Sequence, residues 1–282
     1  MDVWHTARYR IDLSRPRVMG IVNVTPDSFS DGGLHGDAAG AIAHCDALLR
    51  EGADILDIGG ESTRPGARAP TLDEELRRVL PVLRHAVTLG VPVSVDTSQS
   101  QVMRAALDLG VDIVNDVRAL RRSGALDVLA GHVRAGVCLM HMRGEPDTMQ
   151  VTPHDGDAVG AVREFLAARL AAVRACGVAA DRIVLDPGIG FGKTVEHNLD
   201  LLRRQCELLD LGAPLLVGWS RKSTLGAITG RSVHERQSVS VAAALLAVER
   251  GASIVRVHDV AATVDALALW RSIVQDNKKD PT

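Results

Sequence analysis

In the segment APLLVGWSRKS (residues 213–223), an apolar run ends abruptly and a polar group follows it. Residues 215–217 show no polar alternation, which predicts a strand buried on both faces, as in a parallel sheet covered by helices. Gly218 then lets the backbone turn, and residues 220–222 (Ser-Arg-Lys) bring donors and positive charge to the carboxyl end of the strand. A solvated basic turn is the ordinary interpretation of one such segment, and it is favoured unless other strands end in the same way.

Seven further apolar segments carry polar side chains at or near their carboxyl ends. These side chains are Asn23, Asp57, Asp96, Asn115, His141, Asp186, and Arg256 with His258. Stretches with helical periodicity lie between the segments, at residues 39–50, 72–88, 101–109, 126–134, 157–176, 196–208, 239–250 and 263–274. Eight such units in 282 residues predict an α/β protein, a single-domain (β/α)₈ (TIM) barrel with its active site at the carboxyl ends of the strands. A doubly wound open sheet is the alternative, because periodicity does not show whether the last strand pairs with the first.

The composition favours one large domain. Apolar residues make up 46% of the chain, enough to bury a single core, so we expect one barrel domain over residues 1–275. The residues before Arg17 are too few for a domain and are expected to cover the amino-terminal mouth of the barrel. The polar residues 276–282 are expected to form a flexible tail.

Charge and hydropathy exclude several classes of partner. A formal net charge of −3 gives no broad basic face for nucleic acid, so any anion must be bound by a local cluster. The amino terminus has an early acidic residue and no apolar core, and no apolar run is long enough to span a bilayer. We therefore expect a cytoplasmic protein with no signal peptide and no membrane partner. The four cysteines lack metal-ligand spacing and are expected to be reduced thiols: Cys45, Cys138, Cys176 and Cys206.

Two predicted connections are unusually long and rich in glycine. Residues 23–36 contain a single aromatic side chain, Phe29, and residues 59–70 contain a rigid Arg-Pro pair. Long loops of this kind are usually functional lids or disordered. The alternative is a pair of surface connections, in which Asp37 and Thr71 serve only as helix caps.

Three strand ends carry groups suited to a flat polar ligand. Asp96, Asn115 and Asp186 occupy corresponding positions on their strands. A carboxylate at a buried strand end needs hydrogen-bond partners. Converging on one mouth of a barrel, the three side chains would accept from and donate to a planar heterocycle.

The segment LDPGIGFGKT (residues 185–194) looks like two nucleotide-binding motifs but matches neither. A P-loop requires a glycine where Pro187 stands, and the glycines here lack the spacing of a dinucleotide fingerprint. The remaining interpretation is a flexible loop that lets a ligand approach closely beside Asp186, with Phe191 as an apolar wall.

Eight motifs occur in order on the eight strand ends. They are MGIVNVTPDSFSDGG (residues 19–33), DIGGESTRPG (57–66), SVDT (94–97), NDV (115–117), LMHM (139–142), DPGIGFGK (186–193), GWSRKS (218–223) and RVHD (256–259). Together they closely resemble the dihydropteroate synthase family, over a region from about residue 15 to residue 269. The resemblance implies a transferase of folate synthesis. Its reaction would condense 6-hydroxymethyl-7,8-dihydropterin pyrophosphate with p-aminobenzoate to give 7,8-dihydropteroate and pyrophosphate. It also implies a homodimer and a Mg²⁺ cofactor held by Asn23.

The resemblance further assigns roles to individual residues. The pterin would be held by Asp96, Asn115, Asp186 and Lys222, with Met140 and Arg256 against its faces. The diphosphate would be bound by Asn23, through the Mg²⁺, and by Arg256 and His258. The p-aminobenzoate would be surrounded by Phe29, Thr63, Arg64, Pro65, Phe191, Ser220 and Lys222, with Gly218 also in the substrate site. The residues implied to act in catalysis are Asn23, Asp96, Asp186, Lys222, Arg256 and His258.

Two other functions remain open at this stage. A methyltransferase that binds a reduced folate in the same kind of barrel would share the carboxylates, but it would not need residues 63–65 or 220–222. A non-catalytic relative would bind the pterin without turnover, although every expected polar position is filled here. Release of pyrophosphate only in the presence of both substrates separates the three functions.

Overall fold

The computed structural model describes residues 2–25, 33–62, 68–144 and 156–276. In chain order its strands are β1 (Val3–His5), β2 (Arg10–Asp12), β3 (Arg17–Asn23), β4 (Ile55–Gly59), β5 (Val93–Asp96), β6 (Ile113–Asp116), β7 (Gly136–Met140), β8 (Ile183–Asp186), β9 (Leu215–Val217) and β10 (Ala252–Val257). Strands β3 to β10 follow one another in a closed parallel barrel. The barrel closes where β10 pairs with β3, with Val255 opposite Val18. This closure confirms the (β/α)₈ prediction and rules out the open sheet.

Helices cover the outside of the barrel. They are α1 (Gly33–Arg50), α2 (Leu72–Ala86), α3 (Ser100–Asp108), α4 (Ala125–Gly131), α5 (Ala158–Ala175), α6 (Val195–Arg203), α7 (Ser223–Thr229), α8 (Gln237–Glu249) and α9 (Val260–Asp276). Outward side chains of the strands and inward side chains of the helices form one buried apolar layer, for example Leu56 with Val79 and Leu83. Because each barrel strand is buried on both its faces, the sequence of the strand is a continuous apolar run.

Several element boundaries differ from those expected. Thr71 caps α2 as predicted, because its side chain accepts from Glu74 N at 3.3 Å. Asp37 does not precede a helix, since α1 begins at Gly33 and contains it. The helix predicted over residues 196–208 ends at Arg203, and a 3₁₀ helix (Gln205–Leu211) follows. The short helix α7 was not predicted, because the polar residues that precede it suggested only a turn.

The amino-terminal residues close one mouth of the barrel, as predicted. Strands β1 and β2 form an antiparallel hairpin that places the fully buried Trp4 against the first inward side chains of the barrel. Trp4 Nε1 donates to the carbonyl of Arg182, just before β8, at 2.9 Å. Arg8 forms a 2.6 Å ion pair with the buried carboxylate of Asp112, just before β6. The opposite, carboxyl end of the barrel is therefore the end left for ligands.

All four thiols are free, as predicted. Cys45 and Cys138 are buried, and Cys176 and Cys206 are exposed. Burial raises the pKa of Cys45 to about 12, so this thiol stays protonated. No helix within the described ranges combines the length and the apolarity that a membrane span requires. Helix α9 continues to Asp276, and the rest of the predicted tail, residues 277–282, lies outside the described residues.

Candidate active site

The strand register brings the polar residues together. Side chains alternate between the two faces of a strand, so residues two apart on a barrel strand point the same way. The first inward layer is apolar and includes Ile55, Ile113, Cys138, Val184, Leu216 and Ile254. Two residues later on the same strands stand Asp57, Asn115, Met140, Asp186, Gly218 and Arg256. These residues form the layer of the barrel interior that lies nearest the carboxyl ends of the strands, the upper layer. Because it contains Asp57, Asn115, Asp186 and Arg256, this layer can bind a polar ligand.

Arg256 links strands from opposite ends of the chain. Its Nε donates to Asp57 Oδ2 at 2.6 Å, and its Nη2 donates to Asp96 Oδ2 at 2.8 Å. Asn115 Nδ2 also donates to Asp57 Oδ2, at 3.1 Å. Asp57 is fully buried, and its Oδ1 has no hydrogen-bond partner among the described residues. Asp57 thus orients both Arg256 and Asn115 and keeps one acceptor for a ligand or a water molecule.

The charges in this network do not balance. Burial raises the pKa of Asp96 and outweighs the opposing charge of Arg256, and the neighbouring carboxylate of Asp57 raises it further. Burial alone would lower the pKa of Arg256, but the two carboxylates raise it above its ordinary value, so Arg256 is cationic at every working pH. Asp96 can therefore meet a ligand as an acceptor or, when protonated, as a donor.

Asp186 lies at the end of β8 between cationic side chains. Its Oδ1 accepts from Gly188 N at 2.7 Å, which leaves Oδ2 for a ligand. Burial raises the pKa of Asp186, against the opposing effect of the Gly188 hydrogen bond and of Lys222, Arg256 and Lys193. Burial also lowers the pKa of Lys222 to about 8, although Asp186 favours the charged form. Asp186 and Lys222 therefore present a carboxylate acceptor and an ammonium donor side by side.

An apolar wall adjoins these polar groups. Val117, Met140, Met142 and Phe191 form a small buried cluster of their own. Lys222 Nζ lies 4.2 Å from the centre of the Phe191 ring, a cation–π contact. A planar ligand with polar edges and apolar faces fits this combination. The resemblance had divided Met140 and Phe191 between two substrates, whereas the structure places them in one cluster.

The connections after β9 and β10 are bound to each other. Ser220 Oγ accepts from His258 N at 3.1 Å and lies 3.0 Å from His258 Nδ1. Arg221 has a left-handed backbone (φ 59°), and its guanidinium holds Asp259 at 2.6 and 3.2 Å. Arg221 N also donates to Ser240 Oγ at 2.9 Å, which compensates for the unfavourable backbone. Ser220 and His258, expected to serve different substrates, thus form a hydrogen-bonded pair.

The fit of the implied Mg²⁺ depends on Asn23. This residue is half-buried at the end of β3, opposite Gly59 of β4. Within the described residues, no three His, Cys, Asp or Glu side chains converge as a metal site. A Mg²⁺ ion that keeps several waters and binds substrate phosphates needs only one or two protein oxygens. The amide oxygen of Asn23 fits that kind of site and no all-protein cage.

Some predicted site residues cannot be placed. Phe29, Thr63, Arg64 and Pro65 lie outside the described residues, as do parts of the two predicted loop lids. Conversely, the prediction omitted two residues that the structure puts in the site, Asp57 and Lys193. Asp57 had a visible signal, since it interrupts the apolar run ILDIG in phase with Ile55. Lys193 is 5% exposed, and the sequence pattern gave no signal that it would be buried.

Comparison with known proteins shows the family of the chain. Residues 19–258 match the family of pterin binding enzymes. The chain is 53% identical over 277 residues to the dihydropteroate synthase of Neisseria meningitidis serogroup B, covering 96% of this chain and 97% of that one. Over 272 residues it is 45% identical to the Escherichia coli (strain K12) dihydropteroate synthase, covering 95% and 96%.

Solved structures agree in fold as well as in sequence. The Burkholderia cenocepacia dihydropteroate synthase complexed with 7,8-dihydropteroate is 48% identical, with a TM-score of 0.89 over 99% of this chain and 98% of that one. The Xanthomonas albilineans dihydropteroate synthase with 4-aminobenzoic acid is 51% identical, with a TM-score of 0.91 over 96% and 98%. The similarities in sequence and fold show that the chain, with its closed barrel and polar upper layer, belongs to the dihydropteroate synthase family of pterin binding enzymes.

Proposed function

We propose that the chain condenses 6-hydroxymethyl-7,8-dihydropterin pyrophosphate with p-aminobenzoate, forming 7,8-dihydropteroate and releasing pyrophosphate. The observation that carries this proposal is the polar upper layer of the barrel beside the Met140–Phe191 wall. The ligands of the two relatives, 7,8-dihydropteroate and 4-aminobenzoic acid, support it. They are the product and one substrate of this reaction.

The pterin ring would lie against the apolar wall with its polar edge toward the strand ends. Asp186 Oδ2 suits the N–H donors of the aminopyrimidine edge, because a charged acceptor forms the stronger hydrogen bond. Asn115 and Asp96 can each donate as well as accept, so they suit the remaining mixed edge. Arg256 and Asp57 fix the geometry of this set before the ligand arrives.

The diphosphate would leave toward Arg256 and His258. The carbon–oxygen bond to the diphosphate breaks, the amine nitrogen bonds to the same carbon, and the amine passes one proton to the released pyrophosphate or to water. The leaving group gains negative charge, which the cationic Arg256 stabilises. Ser220 holds the imidazole of His258 in place for the same purpose. A Mg²⁺ ion bound at Asn23 would supply further positive charge to the diphosphate.

The p-aminobenzoate would enter between the wall and the connection after β9. Gly218, Ser220, Lys222 and Phe191 are the described residues proposed for this site. The remaining proposed residues, Phe29, Thr63, Arg64 and Pro65, belong to segments outside the described residues.

Pyrophosphate release tests the assignment directly. We expect release from pterin pyrophosphate only when p-aminobenzoate and Mg²⁺ are both present, with formation of dihydropteroate in equal amount. Binding of the pterin without turnover would identify a non-catalytic relative. Methyl transfer from a reduced folate, with no pyrophosphate released, would identify a methyltransferase.

The pH profile offers a second test. We expect kcat/KM for pterin pyrophosphate to fall as the pH rises through about 8, because the ammonium of Lys222 loses its proton there. Below that pH the side chain is charged and can hold the ligand. Lys222→Arg should move the fall to higher pH, since arginine stays protonated. A wild-type profile that is flat between about pH 7 and pH 9.5 would exclude this role of Lys222.

Two further properties belong to the same proposal. Large apolar side chains are exposed on the last three helices, namely Ile228 on α7, Leu246 on α8, and Leu269 and Ile273 on α9. They support assembly as a homodimer, which light scattering tests, because a monomeric mass would contradict it. We also place the protein in the cytoplasm, where fractionation of cells would detect it.

A further inference from the structure

The loop between β8 and α6 is rich in glycine and has a backbone hydrogen bond within it, from Phe191 N to Gly188 O at 3.2 Å. Gly188, Gly190 and Gly192 all have positive φ, at 68°, 84° and 66°. A loop with three such glycines has a large conformational entropy to lose on ordering. It nevertheless lies tightly against the exit of β7, since a Cβ atom added at Gly188 would meet the carbonyl oxygen of His141 at 1.9 Å.

Lys193 adds a side-chain constraint from inside the loop. Its ammonium Nζ donates to Gly188 O at 2.8 Å and to Phe191 O at 3.1 Å. Nζ also lies 2.8 Å from His141 Nδ1. Two donors of the buried Nζ thus meet carbonyl acceptors in the loop, and the same atom contacts His141 after β7. The side chain of Lys193 therefore lies inside the loop and contacts its backbone at Gly188 and Phe191.

The two loop residues that Lys193 contacts, Gly188 and Phe191, also contact groups of the proposed pterin site. Gly188, whose carbonyl Lys193 holds, donates its N–H to Asp186 Oδ1 at 2.7 Å. Phe191, whose carbonyl Lys193 also holds, presents its ring to Met140 and Lys222. A shift of the loop would therefore move the carboxylate that faces the pterin edge and the wall that faces the ring. Asn198 Oδ1 fixes a third point by accepting from Gly190 N at 2.8 Å.

We propose that Lys193 is a positioning residue, which sets the specificity of the pterin site by orienting Asp186 and Phe191 through the loop backbone. The proposal rests on the proposed function, because the ligand it concerns is the pterin substrate. Lys193 does not touch the substrate. It acts through Gly188 and Phe191. Its replacement therefore weakens the ligand contacts of Asp186 and Phe191, although both of these side chains are unchanged.

The test compares Lys193→Met with wild type and with a matched control. Lys193→Met keeps the length of the side chain and removes the donors. The control is Gln205→Leu, because Gln205 is equally buried and its Nε2 donates to two backbone carbonyls, Ala247 O (2.8 Å) and Arg250 O (3.1 Å), away from the site. Calorimetry with pterin pyrophosphate and Mg²⁺ gives the dissociation constant, and thermal unfolding gives Tm. We expect both variants to lose Tm, but only Lys193→Met to bind the pterin at least about tenfold more weakly.

A double-mutant cycle distinguishes positioning from a general loss of stability. Phe191→Leu is combined with Lys193→Met, and pterin affinity is measured for all four proteins. If Lys193 acts through Phe191, the combined loss in affinity is smaller than the product of the two single losses. A loss equal to that product, or a Lys193→Met protein that binds pterin like wild type, would overturn the proposal.

A variant that does not fold and a wild type that does not bind the pterin are treated separately. If Lys193→Met does not fold, Lys193→Gln retains an amide donor for the carbonyls and enters the same comparison, with an expected affinity between those of wild type and a tenfold loss. If wild type itself binds no pterin pyrophosphate, the proposed function fails. If wild type binds it and the Lys193 variants bind equally well, only the role of Lys193 fails.

Discussion

Asp186→Asn should leave the barrel folded and weaken pterin binding by about 2 to 4 kcal/mol, roughly 30- to 900-fold. The asparagine carbonyl can still accept from Gly188 N, as Asp186 Oδ1 does at 2.7 Å, so the loop should keep its place. The amide nitrogen would then replace the acceptor that faces the ligand. Donors of the aminopyrimidine edge would meet a donor, and the hydrogen bond to a charged group would be lost.

Stability should respond differently from binding. Burial raises the pKa of Asp186, which means that its charge costs free energy in the folded state. Asp186→Asn should therefore keep or raise Tm, whereas a purely structural role would lower it. The matched control is Asp200→Asn, which makes the same chemical change at an exposed carboxylate on α6. Calorimetric binding of the pterin by Asp186→Asn at wild-type strength would remove Asp186 from the site.

Arg256→Met should cost both stability and activity. It leaves the carboxylates of Asp57 and Asp96 without the cation they share, and breaking a buried ion pair costs about 3 to 5 kcal/mol of unfolding free energy. It also removes positive charge from the departing diphosphate, so we expect kcat to fall by at least about 100-fold. Urea unfolding and steady-state kinetics measure the two losses separately.

The stability loss of Arg256→Met should depend on pH. Burial already raises the pKa of Asp96, and removing Arg256 raises it further, so the folded variant binds protons more tightly than its unfolded chain. Wild type and variant should both lose stability as the pH rises above about 4, the unfolded aspartate value, because the folded state of each holds the Asp96 proton more tightly than the unfolded chain does. Burial raises the pKa of Asp96 to about 8 in wild type, so the deficit of the variant should widen only as the pH rises through about 8, and it should be smaller at about pH 6 than at about pH 9.5. An equal deficit at both values would mean that the buried carboxylates are not its cause.

Two further variants separate the effects. Arg203→Met removes an exposed arginine that pairs with Glu196 and Asp200, and it should leave stability nearly unchanged because water screens such surface pairs. Adding Asp57→Asn to Arg256→Met removes one of the unpaired charges and should recover part of the stability without recovering activity. Recovery of activity in that double variant would show that Arg256 serves only to neutralise Asp57.

The pattern of strands and helices was predictable because it is local. Burial on both faces gives apolar runs such as residues 215–217, and polar residues stand where those runs end. The motifs on those ends led to the family that the comparisons then established. The hairpin β1–β2 and helix α7 were not predicted as elements. Their segments are too short for periodicity, and their packing against the rest of the chain decides their conformation.

The sequence alone establishes which residue types stand at the carboxyl ends of the strands, and it predicts the alternation of strands and helices and the family. It does not establish which of these residues meet. Arg256 and Asp57 are 199 residues apart, and Arg256 and Asp96 are 160 residues apart. They come into contact only because β10 closes on β3 and thereby brings the last strand beside the first. Likewise, Lys193 is buried only because the loop before it folds back on β7, and Ser220 meets His258 only because β9 pairs with β10. Contacts of this kind depend on distances set by the closed barrel, and local periodicity carries no information about them.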